Sequence, residues 1–413
     1  MRKIIASLDI GDAWIKLVVG EMFKGKLNIL SCIELPSRGI KFGFVVNPES
    51  ATEVLEELFN MAEETIGIKP EKVVVSIPSN GAESFMAESY IDIKSEDGII
   101  TNKDVSKVIK QSVYKKYSDS YELVNVTPTK YQLDDNMIVT NPVGMKAEKL
   151  GVKAVALIIP KKNIAAIAKC LEKIHISIVD IAIGPLGDYY EFQNKNYKSE
   201  VGAVINLGDS KTEVSIFNRG IMTSVEVIPM GGDKIDKDLS YVYKIKKADS
   251  VYLKENMCLA DKSLALVTES MIFEERNGEK IKINQYDASE IVESRLEEIL
   301  NLAKKQINLL TKKEISYIII TGGVTEISEF KNLADKIFKN HHVGEVTEIG
   351  ARNNKYSTAL GLIKYYDNKL KLRNEDFSIY TIEEQEELSG MHKKINISDN
   401  SILGKLFGYF FDN

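Results

Sequence analysis

The sequence is poor in the residue types that build disulfide frameworks and zinc sites. Only three cysteines and four histidines occur among 413 residues. Cys32, Cys170 and Cys258 are far apart, and no CxxC motif or Cys–His cluster occurs. Neither a disulfide framework nor a zinc site is therefore predicted. The three cysteines are expected to be small buried hydrophobic residues.

Long apolar runs and an excess of positive charge are missing as well. No stretch of about 18 apolar residues occurs, so no spanning helix is predicted. The apolar run after the N-terminal basic pair meets an Asp too early for a secretory signal peptide. The formal net charge is −6, whereas nucleic-acid-binding domains usually carry a basic stripe, so nucleic acid is not an expected partner. The composition predicts a cytoplasmic chain of about two to four compact units and leaves open attachment to a membrane surface.

Three glycine turns, each directly after an apolar run, are the main feature that is present. They lie at 11–12, 208–211 and 322–323. One such turn is usually only a connection, but three suggest two related strand–turn–strand lobes that clamp a nucleotide. Tight turns aim backbone N–H groups at phosphates, and glycine lets the backbone approach closely. Neither a P-loop nor a G-x-G-x-x-G motif occurs.

These turns resemble those of the actin-like ATPase superfamily, which includes sugar kinases, chaperone ATPases and bacterial filament proteins. Further segments narrow the resemblance. Residues 126–150 contain VTPTKYQLDD followed by NPVGMKAEKL, residues 38–45 read RGIKFGFV, residues 230–239 read MGGDKIDKDL, and residues 356–362 read YSTALGL. Over roughly residues 1–366 the sequence resembles the FtsA family of bacterial cell-division proteins.

The resemblance implies an α/β, two-lobed actin-like ATPase fold with an FtsA-type 1C subdomain, a C-terminal linker and an amphipathic helix. The expected units are a lobe 1 core at 1–82 and 162–197 (subdomain 1A, completed by about 350–366), subdomain 1C at 83–161, a lobe 2 core at 198–232 and 311–349 (subdomain 2A), subdomain 2B at 233–310, a flexible linker at 367–400 and a membrane-targeting helix at 401–413.

The resemblance also implies a site for ATP with Mg²⁺ between the lobes. The expected nucleotide-binding residues are Asp9, Gly11, Asp12, Ala13, Trp14, Lys16, Asn206, Gly208, Asp209, Ser210, Lys211, Thr212, Gly231, Gly232, Asp233, Asp249, Tyr252, Gly322, Gly323 and Val324.

Several of these residues depart from the family pattern. Asp12 stands where the family usually has Ser or Thr, and a carboxylate repels phosphate whereas a hydroxyl donates to it. Asn206 replaces the usual Asp, which is expected to position the metal, and Tyr252 stands where a Lys is usual, with Lys254 two residues on. Bound nucleotide with weak or no hydrolysis is therefore expected, and no catalytic residue is assigned.

The end of the chain has the pattern of a membrane-surface helix. Its apolar residues share one arc of a helical wheel, and an acidic stretch that includes Glu383 and Glu384 precedes it. A helix that docks back on the body is the alternative, which the acidic stretch and the aromatic residues disfavour. The expected lipid-facing residues are Ile402, Leu403, Leu406, Phe407, Phe410 and Phe411.

A helix near 287–310 carries the expected partner site. In the FtsA family an arginine in this setting helps to bind the acidic C-terminal peptide of the tubulin-like protein FtsZ, and Arg295 occupies it. Arginine suits this role because it binds a carboxylate bidentately. Lys304 and Lys305 could widen the basic surface. An intramolecular ion pair of Arg295 is the alternative.

Together these features predict a cell-division protein that binds ATP, assembles into actin-like filaments and tethers FtsZ to the cytoplasmic membrane at the septum. Its expected partners are FtsZ, further copies of itself, membrane lipids and other division proteins. A pilus-assembly-type binding module of the same fold is one alternative, and an actin-like phosphotransferase or ATPase is another.

Overall fold

The computed structural model describes residues 2–373, 375–385 and 388. In chain order its strands are β1 (Lys3–Ile10), β2 (Trp14–Phe23), β3 (Lys26–Pro36), β4 (Ile40–Lys41), β5 (Phe44–Val45), β6 (Lys72–Ile77), β7 (Glu83–Asp92), β8 (Tyr121–Gln132), β9 (Ile138–Val139), β10 (Lys149–Pro160), β11 (Ser177–Ile183), β12 (Val201–Leu207), β13 (Thr212–Asn218), β14 (Ile221–Ile228), β15 (Ser270–Glu274), β16 (Lys280–Asn284), β17 (Tyr317–Thr321) and β18 (His341–Val343). Its α-helices are α1 (Pro48–Ile66), α2 (Asn102–Val113), α3 (Lys162–Lys173), α4 (Gly184–Phe192), α5 (Gly232–Val242), α6 (Lys247–Asn256), α7 (Gln285–Leu310), α8 (Phe330–Ile337) and α9 (Ser357–Arg373).

Two five-stranded sheets of the same connectivity form the centres of two lobes. The lobe 1 sheet has the order β11-β6-β1-β2-β3, and the lobe 2 sheet has the order β18-β17-β12-β13-β14. In each lobe three consecutive strands are antiparallel, and two later strands add in parallel beside the first of them. Parallel addition needs a crossover, which the intervening helices supply.

Helices cover the lobe 1 sheet because its strands are apolar on both faces. Helix α1 begins at Pro48, where the Asn47 side chain accepts from the backbone N–H of Ser50, and it ends at Gly67 with a φ of 89°. Both are standard helix-end signals. Helices α4 and α9 pack on each other, and the Tyr189 ring of α4 stacks on Phe217 of β13 with centroids 4.2 Å apart. Helix α4 therefore joins lobe 1 to the lobe 2 sheet.

A separate four-stranded sheet is inserted between β6 and α3. Its order is β7-β10-β8-β9, and α2 packs on it over a core of its own. A capping box between Thr101 and Asp104 begins α2. The insert contacts lobe 2 where the Ser84 hydroxyl of β7 donates to the carbonyl of Thr223 on β14.

The structure differs from the expected flexible linker at 367–400 in its first part. Residues 367–373 are the last two turns of α9. Beyond them, the backbone N–H of Ile379 donates to the carbonyl of Ile4 at 2.9 Å, and the Tyr380 hydroxyl donates to the carbonyl of Ile68 at 2.8 Å. Both side chains are buried on lobe 1. Ile379 and Tyr380 thus attach this part of the polar stretch to lobe 1. The mean composition of residues 367–400 did not reveal these two apolar side chains.

Within the described residues, no helix is long and apolar enough to cross a membrane. The expected membrane-targeting helix at 401–413, with Ile402, Leu403, Leu406, Phe407, Phe410 and Phe411, lies outside the described residues.

Candidate functional site

A cavity of about 420 Å³ lies between the two lobes. This volume is within the usual range of small-molecule and cofactor sites. All three glycine turns line it. Each turn follows the carboxyl end of β1, β12 or β17, and these strand ends face the opposite lobe. Fifteen of the expected nucleotide-binding residues are in this lining, namely Asp9, Gly11, Asp12, Ala13, Trp14, Lys16, Asn206, Gly208, Asp209, Ser210, Lys211, Gly232, Gly322, Gly323 and Val324.

The first turn joins β1 to β2. The backbone N–H of Gly11 donates to the carbonyl of Trp14 at 3.1 Å, and a Cβ atom at Gly11 would lie 2.7 Å from that same oxygen. Any side chain at this position would therefore open the turn. Lys16 lies on β2 with its Nζ 2.9 Å from Oδ2 of Asp9, and both side chains are largely buried. Lys16 therefore lines the cleft while it forms an ion pair with Asp9.

The second turn joins β12 to β13, and backbone hydrogen bonds connect it to the start of α5. The carbonyl of Gly208 accepts from the N–H of Gly232 at 3.0 Å, and the carbonyl of Asp209 accepts from the N–H of Asp233 at 2.8 Å. A Cβ atom at Gly231 would lie 2.4 Å from the Gly208 oxygen. The glycine pair before α5 therefore lets two backbone segments approach each other closely.

The third turn follows β17. Because β17 runs parallel to β12, with Thr321 opposite Asn206, the carboxyl ends of both strands meet at one edge of the sheet, where ligands bind in open α/β sheets. Gly322 has a φ of +101°, and a Cβ atom there would lie 2.4 Å from the carbonyl of Leu207. Only glycine suits this position.

Five expected nucleotide-binding residues do not line the cavity. The buried Thr212 hydroxyl donates to the carbonyl of Met230. Gly231 and Asp233 lie where the second turn is hydrogen-bonded to the start of α5, as described above. Asp249 and Tyr252 lie on the first turns of α6, where Tyr252 is 55% exposed. At about 100° per residue, position 254 lies far around the helix from position 252, and Lys254 is the residue that faces the cavity.

Lys254 is one of several lining residues that sequence reasoning did not assign. Its Nζ lies 2.7 Å from Oδ1 of Asp236, and both side chains are buried. Its place two residues after Tyr252 was the available signal. The other unassigned lining residues are Ile10, Ser76, Ile77, Pro78, Gly184, Glu213, Glu255, Glu326, Ile327, Asn353, Lys355 and Thr358.

A buried carboxylate lies directly behind the cleft. Asp188, near the start of α4, accepts hydrogen bonds from the Asn206 amide at 2.7 Å, the Ser357 hydroxyl at 2.7 Å and the Thr358 hydroxyl at 2.9 Å. Burial raises the pKa of Asp188 to about 7, and the charge of Glu213 adds to this while the three hydrogen bonds oppose it. A carboxylate within the otherwise apolar segment GPLGDYY was its sequence signal.

Further side-chain hydrogen bonds connect the two lobes across the cleft. The Ser210 hydroxyl of the second turn donates to Oδ2 of Asp12 in the first turn. The Ser79 hydroxyl, in the loop after β6, donates to Oε1 of Glu213 on β13. Oδ1 of Asp12 also accepts from the backbone N–H of Gly43, in the turn between β4 and β5, at 2.8 Å. The first and second glycine turns therefore contact each other through Asp12.

The donor set suits a nucleotide better than it suits a free metal ion. The turns offer backbone N–H groups, the lysines offer positive charge, and Val324 and Ile327 offer apolar surface for a base. Within the described residues there is no cluster of three or more Asp, Glu, His or Cys side chains able to hold a metal. Mg²⁺ usually binds through one or two carboxylates, several waters and substrate phosphates. It fits here as the companion of a phosphate ligand.

The expected partner residues on α7 face different neighbours. Arg295 donates from Nε to Oδ2 of Asp238 on α5 at 2.6 Å and from Nη1 to Glu298 on its own helix. Lys304 donates to the carbonyl of Ile337 at the end of α8. Lys305 is exposed and lines a groove between α7 and β14. The structure thus contains the intramolecular ion pair that was the alternative for Arg295, and it separates Arg295 from the two lysines.

Comparison with known proteins identifies related sequences over most of the chain. The family model "Cell division protein FtsA" matches residues 203–361, and the model "SHS2 domain inserted in FTSA" matches residues 80–158. Together they match more than half of the chain. The Cell division protein FtsA of Bacillus subtilis (strain 168) is 27% identical over 369 residues, which are 88% of this chain and 83% of that protein. The protein of the same name from Escherichia coli (strain K12) is 23% identical over 381 residues, 88% of this chain and 90% of that protein.

Solved structures of low identity share the fold. MreB5 of Spiroplasma citri bound to ADP matches with a TM-score of 0.56 at 11% identity, covering 90% of this chain and 99% of that one. A PilM–PilN type IV pilus biogenesis complex matches with a TM-score of 0.56 at 13% identity, covering 87% of this chain and 97% of that one. The two-lobed actin-like fold with its inserted subdomain is confirmed. The two FtsA models and the full-length relatives agree, and the chain belongs to the FtsA family of actin-like bacterial cell-division proteins.

Proposed function

We propose that this protein binds an adenine nucleotide between its lobes, assembles with further copies into actin-like filaments, and tethers FtsZ to the cytoplasmic membrane at the division septum. The observation that carries the proposal is the cavity in which three glycine turns from two lobes converge. Related folds are described as bound to ADP and to AMPPNP, which supports the nucleotide.

Each part of the cavity has a role in this proposal. The turns at 11–12 and 208–211 donate backbone N–H groups to the phosphates, and Val324 and Ile327 cover the base. Nucleotide turnover is slow or absent. The reason is that Asn206, a neutral amide tied to Asp188 and Thr358, stands where a carboxylate would position a hydrated metal. Mg²⁺, when bound with the phosphates, neutralises part of their charge.

Trp14 gives a direct test of nucleotide binding, because it is the single tryptophan of the chain and lines the cavity. We expect ATP or ADP to change its fluorescence saturably, with calorimetry as the second readout. A Cβ atom at Gly323 would meet only ordinary contact distance, 3.5 Å from Cβ of Lys355, so Gly323→Phe fills the cavity without straining the turn. It should weaken binding at least about tenfold, since a lost cavity excludes the base.

The matched control is Ile349→Phe, which adds the same ring at a surface position that is already 80% exposed. It should bind nucleotide as the wild type does. Failure of ATP and ADP to bind at millimolar concentration, by both readouts, would contradict the nucleotide part of the proposal.

Arg295 is the proposed anchor for the acidic peptide of FtsZ. Its side chain is 27% exposed and already contacts two carboxylates, of which Glu298 is the more exposed at 51%. A peptide carboxylate would replace Glu298 at the guanidinium, with Asp238 holding the arginine in place. Competition for one cation should therefore limit the affinity. Lys304 and Lys305 remain part of the proposal only as a more distant basic surface.

This arrangement predicts opposite effects for two neighbouring substitutions. Glu298→Ala should tighten binding of an FtsZ tail peptide by about three- to tenfold, because it removes the competing carboxylate, and Arg295→Glu should abolish it. Arg352→Glu reverses the charge of another exposed arginine away from α7 and serves as the control. Fluorescence anisotropy of a labelled peptide measures all three. If Arg295→Glu binds the peptide normally, the assignment is wrong.

A further inference from the structure

Strand β14 is an edge strand of the lobe 2 sheet, and it pairs with β13 on one side. On its outer side the carbonyl of Thr223 accepts from the hydroxyl of Ser84 in the inserted subdomain. From residue 224 to residue 228, no strand of the described chain pairs with the outer edge. Every second residue of such an edge directs its backbone N–H and C=O outward, where another strand can pair with them.

A groove of about 310 Å³ lies between this edge and α7. The residues that α7 contributes follow one another at helical spacing and share one face of the helix, namely Leu302, Lys305, Gln306 and Leu309. Neither Leu302 nor Leu309 belongs to the lobe 2 core, and Leu309 is 62% exposed. Helix α7 therefore has a second, outward apolar face beside the edge of β14.

Two opposite charges line this groove. Glu226 of β14 and Lys305 of α7 are both exposed, and neither has an ion pair or a hydrogen bond within the described residues. On β14, Ile228 packs against the core that contains the buried side of α7, whereas Val225 packs toward the lobe 1 core. Because side chains alternate along a strand, Glu226 lies on the same face as Ile228, which is the α7 side.

We propose that a second copy of this chain binds in this groove, with the two β14 edges antiparallel about a two-fold axis. Such a contact is self-complementary, because each copy presents the same surface to the other. Glu226 then pairs with Lys305 of the partner subunit, and the reciprocal pair forms across the axis. Leu302 and Leu309 are covered in the same contact. The charges favour a second copy over an unrelated peptide, because this one surface carries both members of the pair.

This contact is distinct from the one that extends a filament. A two-fold contact closes on itself and gives dimers, whereas a filament needs a contact between two different surfaces that repeats from copy to copy. The proposal uses only residues of lobe 2 and does not rest on nucleotide, FtsZ or membrane binding. It assigns Lys305 to the contact between copies and leaves Arg295 as the proposed anchor for FtsZ.

The opposite role for Glu226 is to protect the edge from pairing, as charged side chains on edge strands often do. The two roles predict opposite results. If Glu226 protects the edge, the wild type is monomeric and the removal of this charge promotes association. If Glu226 pairs with a second copy, the wild type forms dimers and the reversal of this charge weakens them.

Sedimentation velocity of the full-length protein without nucleotide measures the association. We expect the wild type to form a dimer whose share rises with protein concentration. Glu226→Lys and Lys305→Glu should each weaken the dimer at least about tenfold, because each variant places two pairs of like charges across the axis. An equimolar mixture of the two variants should form dimers again, since both pairs across the axis are then of opposite charge.

Glu96→Lys is the matched control, because it reverses the same charge at an exposed position of the inserted subdomain. It should form dimers as the wild type does. Recovery of dimers in the mixture also shows that both variants are folded. A wild type that stays monomeric at high micromolar concentration would overturn the inference. So would a dimer that both charge reversals leave intact, or a mixture of the two variants that stays monomeric.

Discussion

At the scale of single residues, Asp188 is a buried carboxyl group that no local sequence pattern accounts for. It is fully buried, and its three hydrogen-bond donors come from β12 and from the start of α9. Asn206 shares the arrangement, because its amide can donate to the carboxylate where an Asp at the same position would repel it. Asn206, which departs from the family pattern, and the buried Asp188 are therefore complementary hydrogen-bond partners.

The raised pKa of Asp188, about 7, predicts how folding stability changes with pH. Between its unfolded value near 3.9 and 7, the folded state binds more protons than the unfolded state, so stability falls as pH rises through this window. The loss amounts to about 4 kcal/mol when complete. Asp188→Asn should remove this dependence, so the difference in unfolding free energy between variant and wild type should shift in favour of the variant from pH 5 to pH 8. Urea unfolding at both pH values measures it, and a constant difference would contradict it.

At the scale of elements, the crossing of α4 and α9 depends on two glycines. A Cβ atom at Gly361 would lie 1.8 Å from the carbonyl oxygen of Gly187, and one at Gly187 would lie 2.5 Å from the carbonyl oxygen of Thr358. The helices are therefore in backbone contact where they pass each other. This contact brings Thr358 to the back of the cleft, beside Asn206.

Gly361→Ala should separate these helices and destabilise the protein by roughly 1–3 kcal/mol, as overpacking usually does. Because the crossing supports Thr358, the same variant should weaken nucleotide binding. Leu372→Ala, on the same helix but 77% exposed, should change stability by less than about 0.5 kcal/mol. Denaturant unfolding of the two variants is the measurement, and equal effects would show that the crossing is not tightly packed.

Elements were predictable from sequence where one local pattern dominated. The helical spacing of apolar residues over 48–66, with Pro48 near its start, predicts a helix, and the structure has α1 at Pro48–Ile66. The polar composition from residue 367 onward predicted a linker there, whereas α9 continues to Arg373. In the structure Asp367 is buried and paired with Lys3 and Lys371. Lys3 lies on β1, far from Asp367 in the sequence, so the residues around Asp367 do not reveal this ion pair.

At the scale of the whole molecule, the two lobes are variations of one sheet topology, and the cleft exists because their turns face each other. The sequence at 402–411 adds an apolar, aromatic end to an otherwise acidic chain. One short amphipathic helix binds a membrane reversibly, whereas many of them on a filament bind far more strongly through effective concentration. Membrane attachment and self-assembly are therefore coupled in the proposed function.

Deletion of residues 400–413 should release the protein from anionic liposomes, because most of the attraction comes from apolar burial. The double substitution Phe407→Ser and Phe410→Ser should have the same effect, since both rings lie on the predicted lipid face. Gly404→Ser changes the opposite face and should leave binding unchanged. Co-sedimentation with liposomes measures all of them, and retention of the truncated chain would refute the proposed membrane helix.

The sequence by itself determined the three turns, because glycine positions after apolar strands report backbone requirements that are local. The segments at 38–45, 126–150, 230–239 and 356–362 determined the family, and with it the fold. Fifteen of the twenty expected nucleotide-binding residues line the cavity for that reason. Only the tertiary structure decided which charges meet there. Lys254 rather than Tyr252 faces the cavity, Asp188 stands behind Asn206, and Asp12 contacts Ser210 from the other lobe. These contacts join residues that are far apart in sequence, and pairing across such distances depends on how the two lobes pack.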